Sequence, residues 1–508
     1  MLQKIHPLFV CLLLIVLGLI NTFAYAPYQF TFLPLLTLPV LALAIWQAKS
    51  PRQAAWFGWS YGLGWFGLGV SWVHVSIATF GGMPLIFSLG IMAALVAYLA
   101  LFPALAAWLT ARFARNFAMA FPAAFSLAWV LAENLRSWVF TGFPWLSLGY
   151  TQTTGYLAAW APLVGEIGIT MLIAFFAAAL LRIGQKQFIQ PVFAVLLIAI
   201  SPLLTAFKGW QLTGEQQNVV LVQGNIKQEL RWDTEQEMPT MQKYMRLTRP
   251  YFGDSLIIWP EAAIPRLEHQ SQGFLINLDM LAAENNSAVV TGILDIRYNV
   301  GDFNGMIVLG QTNTEPMTGS YDYFQTNRYR KHQLLPIGEF VPFEQFLRDV
   351  APFFDLPNSS FTRGDWQQAN LQAKGISLLP ALCFEIAFPR QIQANFTADT
   401  DFLLTVSNDA WFGDSIGPWQ HLQIAQMRAL EFGRPLLRAT NTGVSAIVNA
   451  DGTIAEQLPQ FSDAVLKRPV ALAQGFTPYS QFGDWPVYVL SLLIIGWLVF
   501  LTWIKNRN

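Results

Sequence analysis

Seven apolar stretches fill the start of the chain, near residues 8–24, 30–48, 54–77, 85–111, 118–140, 158–181 and 188–206, and an eighth lies near 486–504. A helix needs roughly 20 mainly apolar residues to cross the hydrocarbon core of a bilayer. Helices and closed barrels alone satisfy their own backbone hydrogen bonds there. Residues 1–207 are therefore predicted to form a transmembrane bundle of about seven helices, with 486–508 supplying one more and a short tail. Between 208 and 485 charges return every few residues and apolar runs shrink to strand length, which marks a separate water-exposed domain. Only 12% of the 508 residues are charged and 54% are hydrophobic, against about 25% charged in soluble domains. The formal net charge of −1 lacks the basic excess of a nucleic-acid binder.

Lys and Arg set the predicted orientation. Lys4 precedes the first helix, Lys49 and Arg52 follow the second, Arg112 and Arg115 the fourth, Arg182 and Lys186 the sixth, and Lys505 and Arg507 end the chain. The alternate connections "AYAPYQ" and "ATFGGMP" carry neither. Cytoplasmic loops hold the excess of Lys and Arg, so both termini are expected in the cytoplasm and residues 208–485 on the far side, the periplasm of a bacterium. The opening "MLQKIHPLFVCLLLIVLGLINTFAYA" also resembles a signal peptide, with Ala24 and Ala26 as a cleavage pattern. Pro27 directly after it disfavours cleavage, and the first helix is expected to be retained. In "FGWSYGLGWFGLGVSWV" Gly58, Gly62, Gly64, Gly67 and Gly69 offer small faces for close helix packing. Glu133 and Arg136, at the end of an apolar segment, are either a helix pair beneath an aromatic belt or part of a site, since intramembrane charge is costly.

The 208–485 segment contains runs rich in Val, Ile and Leu at 218–226, 255–264, 287–296, 305–312, 376–386 and 401–409. Such runs suit strands buried on both faces. Helical stretches at 234–249 and 418–433 lie among them, and "SAIVNADGTIAEQL" predicts a hairpin turning at Asp451-Gly452. The mix predicts a layered α/β domain. Three chemically capable residues sit at or beside strand ends: Glu261 closing "LIIWPE", Lys331 in "YRKHQLLPIGEFVPF" and Cys383 closing "LLPALC". Brought together, they form a thiol nucleophile, a base for its proton and a cation for a developing oxyanion. Taken singly, each has an ordinary explanation: a small core residue, a turn acid, a solvated lysine. Two cysteines make no disulfide framework, and no Cys/His cluster has metal-ligand spacing; no metal or cofactor is expected.

"WPEAAIP", "YRKHQLLPIGEFVPF" and "LCFEIAFP", in that order, resemble the nitrilase superfamily over roughly residues 215–475. That resemblance implies an αββα sandwich with a Glu-Lys-Cys site. With the helices on either side, "LAENLRSWVFTGFPWLSLGY" and "VQGNIKQELRWD", the chain resembles the superfamily's membrane-bound apolipoprotein N-acyltransferases. The resemblance implies Glu261 as general base, Lys331 as the cation of the transition state and Cys383 as nucleophile. It implies supporting roles for Glu339 and Glu385, and substrate contacts at Trp232, Phe384 and Trp411, the last of these otherwise a packed aromatic. Phe384 stands where many relatives are expected to carry Tyr. The implied reaction is ping-pong: a phospholipid, with phosphatidylethanolamine the expected donor, acylates Cys383, and the amine of a diacylglyceryl apolipoprotein receives the chain. The implied setting is the bacterial inner membrane, the enzyme acting as a monomer. Two alternatives stand beside it, a membrane-tethered amidohydrolase using water and a non-catalytic lipid-binding or transport scaffold. In "FVPFEQFLRDVAPFFDLPNSSF" (340–361), Phe353, Phe354 and Leu356 are either a membrane-dipping lid or a short helix on the domain's own core.

Overall fold

Alternation along β1 (Trp210–Gln223) sets the layers of the α/β unit. Val219 and Leu221 enter one apolar core, while Val220 and Val222 enter another, because successive side chains of a strand point to opposite faces. The computed structural model describes residues 5–80, 84–115, 117–231, 233–313, 319–336, 338–340 and 361–507. Two compact units divide the chain: residues 1–209 with 412–423 and 477–508, and residues 210–411 with 424–476.

In the second unit β1 pairs with β2 (Leu256–Ile258), which pairs with β3 (Ala288–Arg297), and β4 (Gly301–Gly310) and β5 (Arg328–Arg330) follow outward. A second sheet holds β6 (Leu371–Ala373), β7 (Ile376–Leu382), β8 (Phe402–Ser407), β9 (Leu436–Thr440), β10 (Ala446–Val448) and β11 (Ile454–Gln457), in that spatial order. The last strand, β12 (Ala464–Gly475), returns to the first sheet beside β1. Leu256, Ile258, Val290 and Val308 from one sheet share a core with Leu378, Leu382, Leu404, Val406 and Leu437 from the other, so the sheets pack face to face. Each such side chain contributes about 1.5–3 kcal/mol by leaving water. Helices Thr234–Thr248 and Gln272–Glu284 cover the first sheet's outer face through Met241, Tyr244, Leu275 and Leu278.

The strands depart from the sequence expectation at their ends. β1 begins eight residues before 218, at Trp210, in antiparallel register with β12. The 255–264 run is a strand only to Ile258; Pro260 has no N–H for a ladder and Ala262 adopts φ +46°. The 376–386 run stops at Leu382, because Cys383 takes φ +53° and opens a one-turn 3₁₀ helix, Cys383–Ala387. The hairpin at Asp451-Gly452 forms as expected, with Gly452 at φ +77° between β10 and β11.

The first unit is helical. By length and composition, two helical stretches among the described residues suffice to cross a membrane, Leu85–Phe113 and Ala158–Gln185. A third qualifies if Ile189–Ala199 and Ser201–Phe207, bent by 44°, form one span. Pro7–Thr22, Leu33–Gln47 and Trp485–Leu501 are apolar but shorter. Helix Pro51–Gly69 uses its glycines as the sequence suggests. A Cβ on Gly64 would lie 1.9 Å from Ile15 O, and one on Gly58 would lie 2.3 Å from Pro103 O, so two neighbouring backbones approach where no side chain fits. Gly67 is different, with only the Val96 side chain at 4.0 Å. Glu133 and Arg136 are a buried ion pair, and Arg136 also donates to Phe143 O (2.6 Å) and Trp145 O (2.5 Å). The pair clamps the aromatic loop that follows its helix. Gln420, from the 412–423 segment, accepts from Trp145 Nε1 (2.7 Å) and Trp72 Nε1 (3.2 Å) and donates to Gly69 O (3.0 Å).

Candidate functional site

Strand register brings the polar residues of the second unit to one edge. Gly305 on β4 faces Arg330 on β5, so Asn304 and Lys331 come next to each other, and Lys331 N donates to Asn304 O at 2.8 Å. On the other sheet Leu382 of β7 faces Val406 of β8, which sets Cys383 beside Ser407; Ser407 Oγ lies 3.2 Å from Cys383 Sγ. Glu261 hangs three residues beyond β2, where the backbone passes so near β3 that a Cβ on Gly292 would lie 2.8 Å from Glu261 Cα.

The side chains interlock. Lys331 Nζ is 2.8 Å from the Glu339 carboxylate and 3.8 Å from Glu261 Oε1. Asn304 Nδ2 donates to both acids, at 2.9 Å to Glu261 Oε1 and 2.8 Å to Glu339 Oε1. The other Glu261 oxygen accepts the Asn408 backbone N–H at 3.1 Å. Burial alone would lower the Lys331 ammonium, but Glu339 and Glu261 outweigh it and hold the lysine charged, above its ordinary value. The Cys383 thiol is pushed up, first by burial and next by the Glu261 and Asp409 carboxylates, against the opposing pull of Lys331 and the Ser407 hydrogen bond. Burial and the two carboxylates thus favour the protonated thiol. Arg231 also faces Glu261, Cys383 and Glu339; burial lowers its guanidinium and those groups act in the opposite sense. A part-buried thiol flanked by carboxylate and ammonium is equipped for proton removal and for stabilising an oxyanion.

Glu385 stands apart from that cluster and braces it. Its carboxylate accepts from Leu382 N (2.7 Å), His332 N (2.7 Å), Gln333 N (3.0 Å), Tyr329 Oη (2.9 Å) and Gln391 Nε2 (3.2 Å). It therefore ties the Lys331 loop to the Cys383 turn. Phe384 is buried and packs edge-on against Phe388 at 5.1 Å. Trp411 is 39% exposed. Trp232 and residues 341–360, including Phe353, Phe354 and Leu356, lie outside the described residues. The residues on either side of that segment meet, with Phe361 N donating to Glu339 O at 3.0 Å. Among the described residues no group of three or more His, Cys, Asp or Glu is placed to hold a metal ion.

Residues 218–475 match the carbon-nitrogen hydrolase family, and residues 17–179 match the apolipoprotein N-acyltransferase N-terminal domain. The chain is 45% identical to an apolipoprotein N-acyltransferase of Photobacterium profundum, over 98% of this chain and 95% of that protein. It is 46% identical to one of Vibrio cholerae, over 96% of each. The chain belongs to the apolipoprotein N-acyltransferases. It is an acyltransferase whose catalytic unit has the carbon-nitrogen hydrolase fold and whose apolar helices fit a membrane-bound enzyme.

Sequence reasoning passed over Asn304, Ser407, Asn408, Asp409 and Arg438. Each carried a signal of the kind used for Glu261: "DFNGMIVLG", "LLTVSND" and "LLRAT" all set polar or charged residues within or at the end of apolar strands. Arg231 carried none, since a cation in a loop is ordinarily solvated.

Proposed function

We propose that this enzyme moves an acyl chain from phosphatidylethanolamine to the N-terminal amine of the diacylglyceryl-cysteine of an apolipoprotein, through a thioester on Cys383. The observation that carries this reading is the meeting, in a chain of this family, of Glu261, Lys331 and Cys383 from three separate strand ends. Glu261 takes the thiol proton as Cys383 Sγ attacks the ester carbonyl. Lys331 stabilises the oxyanion, and Glu339 keeps that ammonium charged and aimed. The ester C–O bond breaks, the leaving lysophospholipid oxygen takes the proton from Glu261, and the thioester remains. The lipoprotein amine then attacks the thioester carbonyl, the C–S bond breaks, and the amine proton returns to sulphur by way of Glu261. A raised thiol suits this scheme, since the proton leaves only as the carbon–sulphur bond forms. Trp232 and Trp411 are assigned to substrate contact. Phe384, buried and without a hydroxyl, is assigned to packing beside the nucleophile.

The setting proposed is the bacterial inner membrane, crossed about eight times by a monomer whose first helix is retained. Residues 208–485 face the periplasm and both termini the cytoplasm, which the Lys and Arg asymmetry supports. The test uses full-length enzyme in detergent with phosphatidylethanolamine and a diacylated lipopeptide. Wild type should accumulate a thioester on Cys383 without acceptor and release N-acylated peptide with it. Cys383→Ala should form neither. Glu261→Gln and Lys331→Ala should each slow thioester formation by about 10²–10³. Near-normal product from Cys383→Ala removes the nucleophile, and loss of the chain to water in the presence of acceptor favours a hydrolase.

A further inference from the structure

Behind the Cys383 sulphur lies a buried polar chain for which the acyl-transfer steps give no use. Ser407 Oγ is 3.2 Å from Cys383 Sγ and 2.5 Å from Asp409 Oδ1. The other Asp409 oxygen accepts from Arg438 Nη2 at 2.6 Å. Ser407 and Arg438 are fully buried, and Asp409 nearly so. Asp409 sits at φ +52°, and its carboxylate lies where a Cβ on Gly443 would stand, so the backbone on both sides is shaped around it. A hydroxyl carries one proton and donates to one acceptor at a time. Ser407 therefore cannot serve the sulphur and the carboxylate together.

We propose that Ser407 is a positioning residue whose single proton changes partner with the charge on sulphur. It goes to Asp409 while Cys383 carries a proton or an acyl group, and to Sγ when the thiolate forms or departs. In the first state the thiol proton has the Ser407 oxygen as its acceptor, which fixes the sulphur beside the base. In the second, the hydroxyl gives the thiolate a donor. Arg438 permits the exchange, because Asp409 stays ion-paired and hydrogen-bonded when Ser407 turns from it. A buried carboxylate that loses a donor without compensation costs free energy that would offset the gain to the thiolate. The charged groups facing the sulphur are Glu261, Asp409, Lys331 and Arg231, with Glu339 and Arg438 acting one step back through Lys331 and Asp409. Of these, Asp409 alone reaches the thiol through a hydroxyl that it competes for.

The inference rests on the reading of Cys383 as nucleophile, so its test reads the thiol without acyl transfer. Full-length enzyme in detergent is alkylated with iodoacetamide across neutral to alkaline pH, and the Cys383 adduct is resolved from that of Cys11 by mass. Ser407→Ala should move the midpoint up by about one unit and slow neutral-pH alkylation about tenfold, because the thiolate loses a donor. Asp409→Asn, which keeps one acceptor oxygen but not the charge, should move the midpoint down. The lost charge lowers the midpoint by itself, so the signature of competition for one proton is a smaller downward shift from Asp409→Asn when Ser407→Ala is already present, and equal shifts in the two backgrounds overturn the proposal. Shifts of one sign, or an unmoved midpoint in Ser407→Ala, overturn the proposal. If Ser407→Ala does not fold, Ser407→Gly takes its place in the same comparison. Acyl transfer by Cys383→Ala would instead sink the nucleophile reading, whatever the pH profiles do.

Discussion

At the scale of single residues, the same chemical group does different work according to what surrounds it. Glu261 and Glu385 are both buried carboxylates, 8% and 1% exposed. Glu261 accepts from one backbone N–H and one side-chain amide and faces an ammonium and a thiol, which leaves it capacity to take a proton. Glu385 has five donors on two oxygens, drawn from the Lys331 loop, the end of β7 and Gln391. Glu261→Gln is therefore expected to slow thioester formation by about 10²–10³ with little change in Tm. Glu385→Ala is expected to lower Tm and activity together, by about 3 kcal/mol or more, because three backbone N–H groups lose their acceptor. Thermal unfolding beside intact-mass detection of the thioester checks the contrast; a Glu385→Ala enzyme with wild-type Tm would refute the bracing role. The raised Cys383 thiol gives a second expectation. Without substrate, alkylation of Cys383 should climb with pH from neutral into the alkaline range, since a group held above its ordinary value stays protonated until higher pH. A rate already at its plateau below neutral pH would mean a standing thiolate.

At the scale of elements, strand ends and close approaches carry the site. Gly292 on β3 is a case in point: a Cβ there would lie 2.7 Å from Ala262 N and 2.8 Å from Glu261 Cα, so Gly292→Ala must displace the backbone that carries the acid. A misplacement of about 1 Å can cost about 10²-fold in rate. Gly292→Ala should slow thioester formation by that order while alkylation of Cys383 by a small reagent proceeds, and a variant acylated at the normal rate would show that the loop absorbs the strain. Much of this level was legible in the sequence. The apolar runs marked β3, β4, β7 and β8 to within a few residues, because burial on both faces leaves an unbroken hydrophobic signal. The turns at Ala262 and Cys383 were not legible, since a left-handed residue without glycine leaves no compositional trace. Nor was the Ser407–Asp409–Arg438 chain, which depends on the parallel register of β7, β8 and β9 and not on spacing within any one of them. Glu385 was visible as an acid near the cysteine, but its five donors come from three separate segments.

At the scale of the whole molecule, the open matter is how the chain is threaded through its membrane. The proposed orientation predicts labelling in a Cys11→Ser, Cys383→Ala background. A thiol placed at Asn313 should react with a membrane-impermeant maleimide added outside the inner membrane. One placed at Gln187, exposed between Ala158–Gln185 and Ile189–Ala199, should react only after permeabilisation. The reverse pattern would invert the topology and move the catalytic unit to the cytoplasm.

The two sheets contribute unequal halves of the candidate centre. The first brings Glu261, Asn304 and Lys331; the second, later in the chain, brings Cys383, Ser407 and Asp409. Neither half holds Glu261, Lys331 and Cys383 together, so the candidate centre exists only where the two sheets pack face to face.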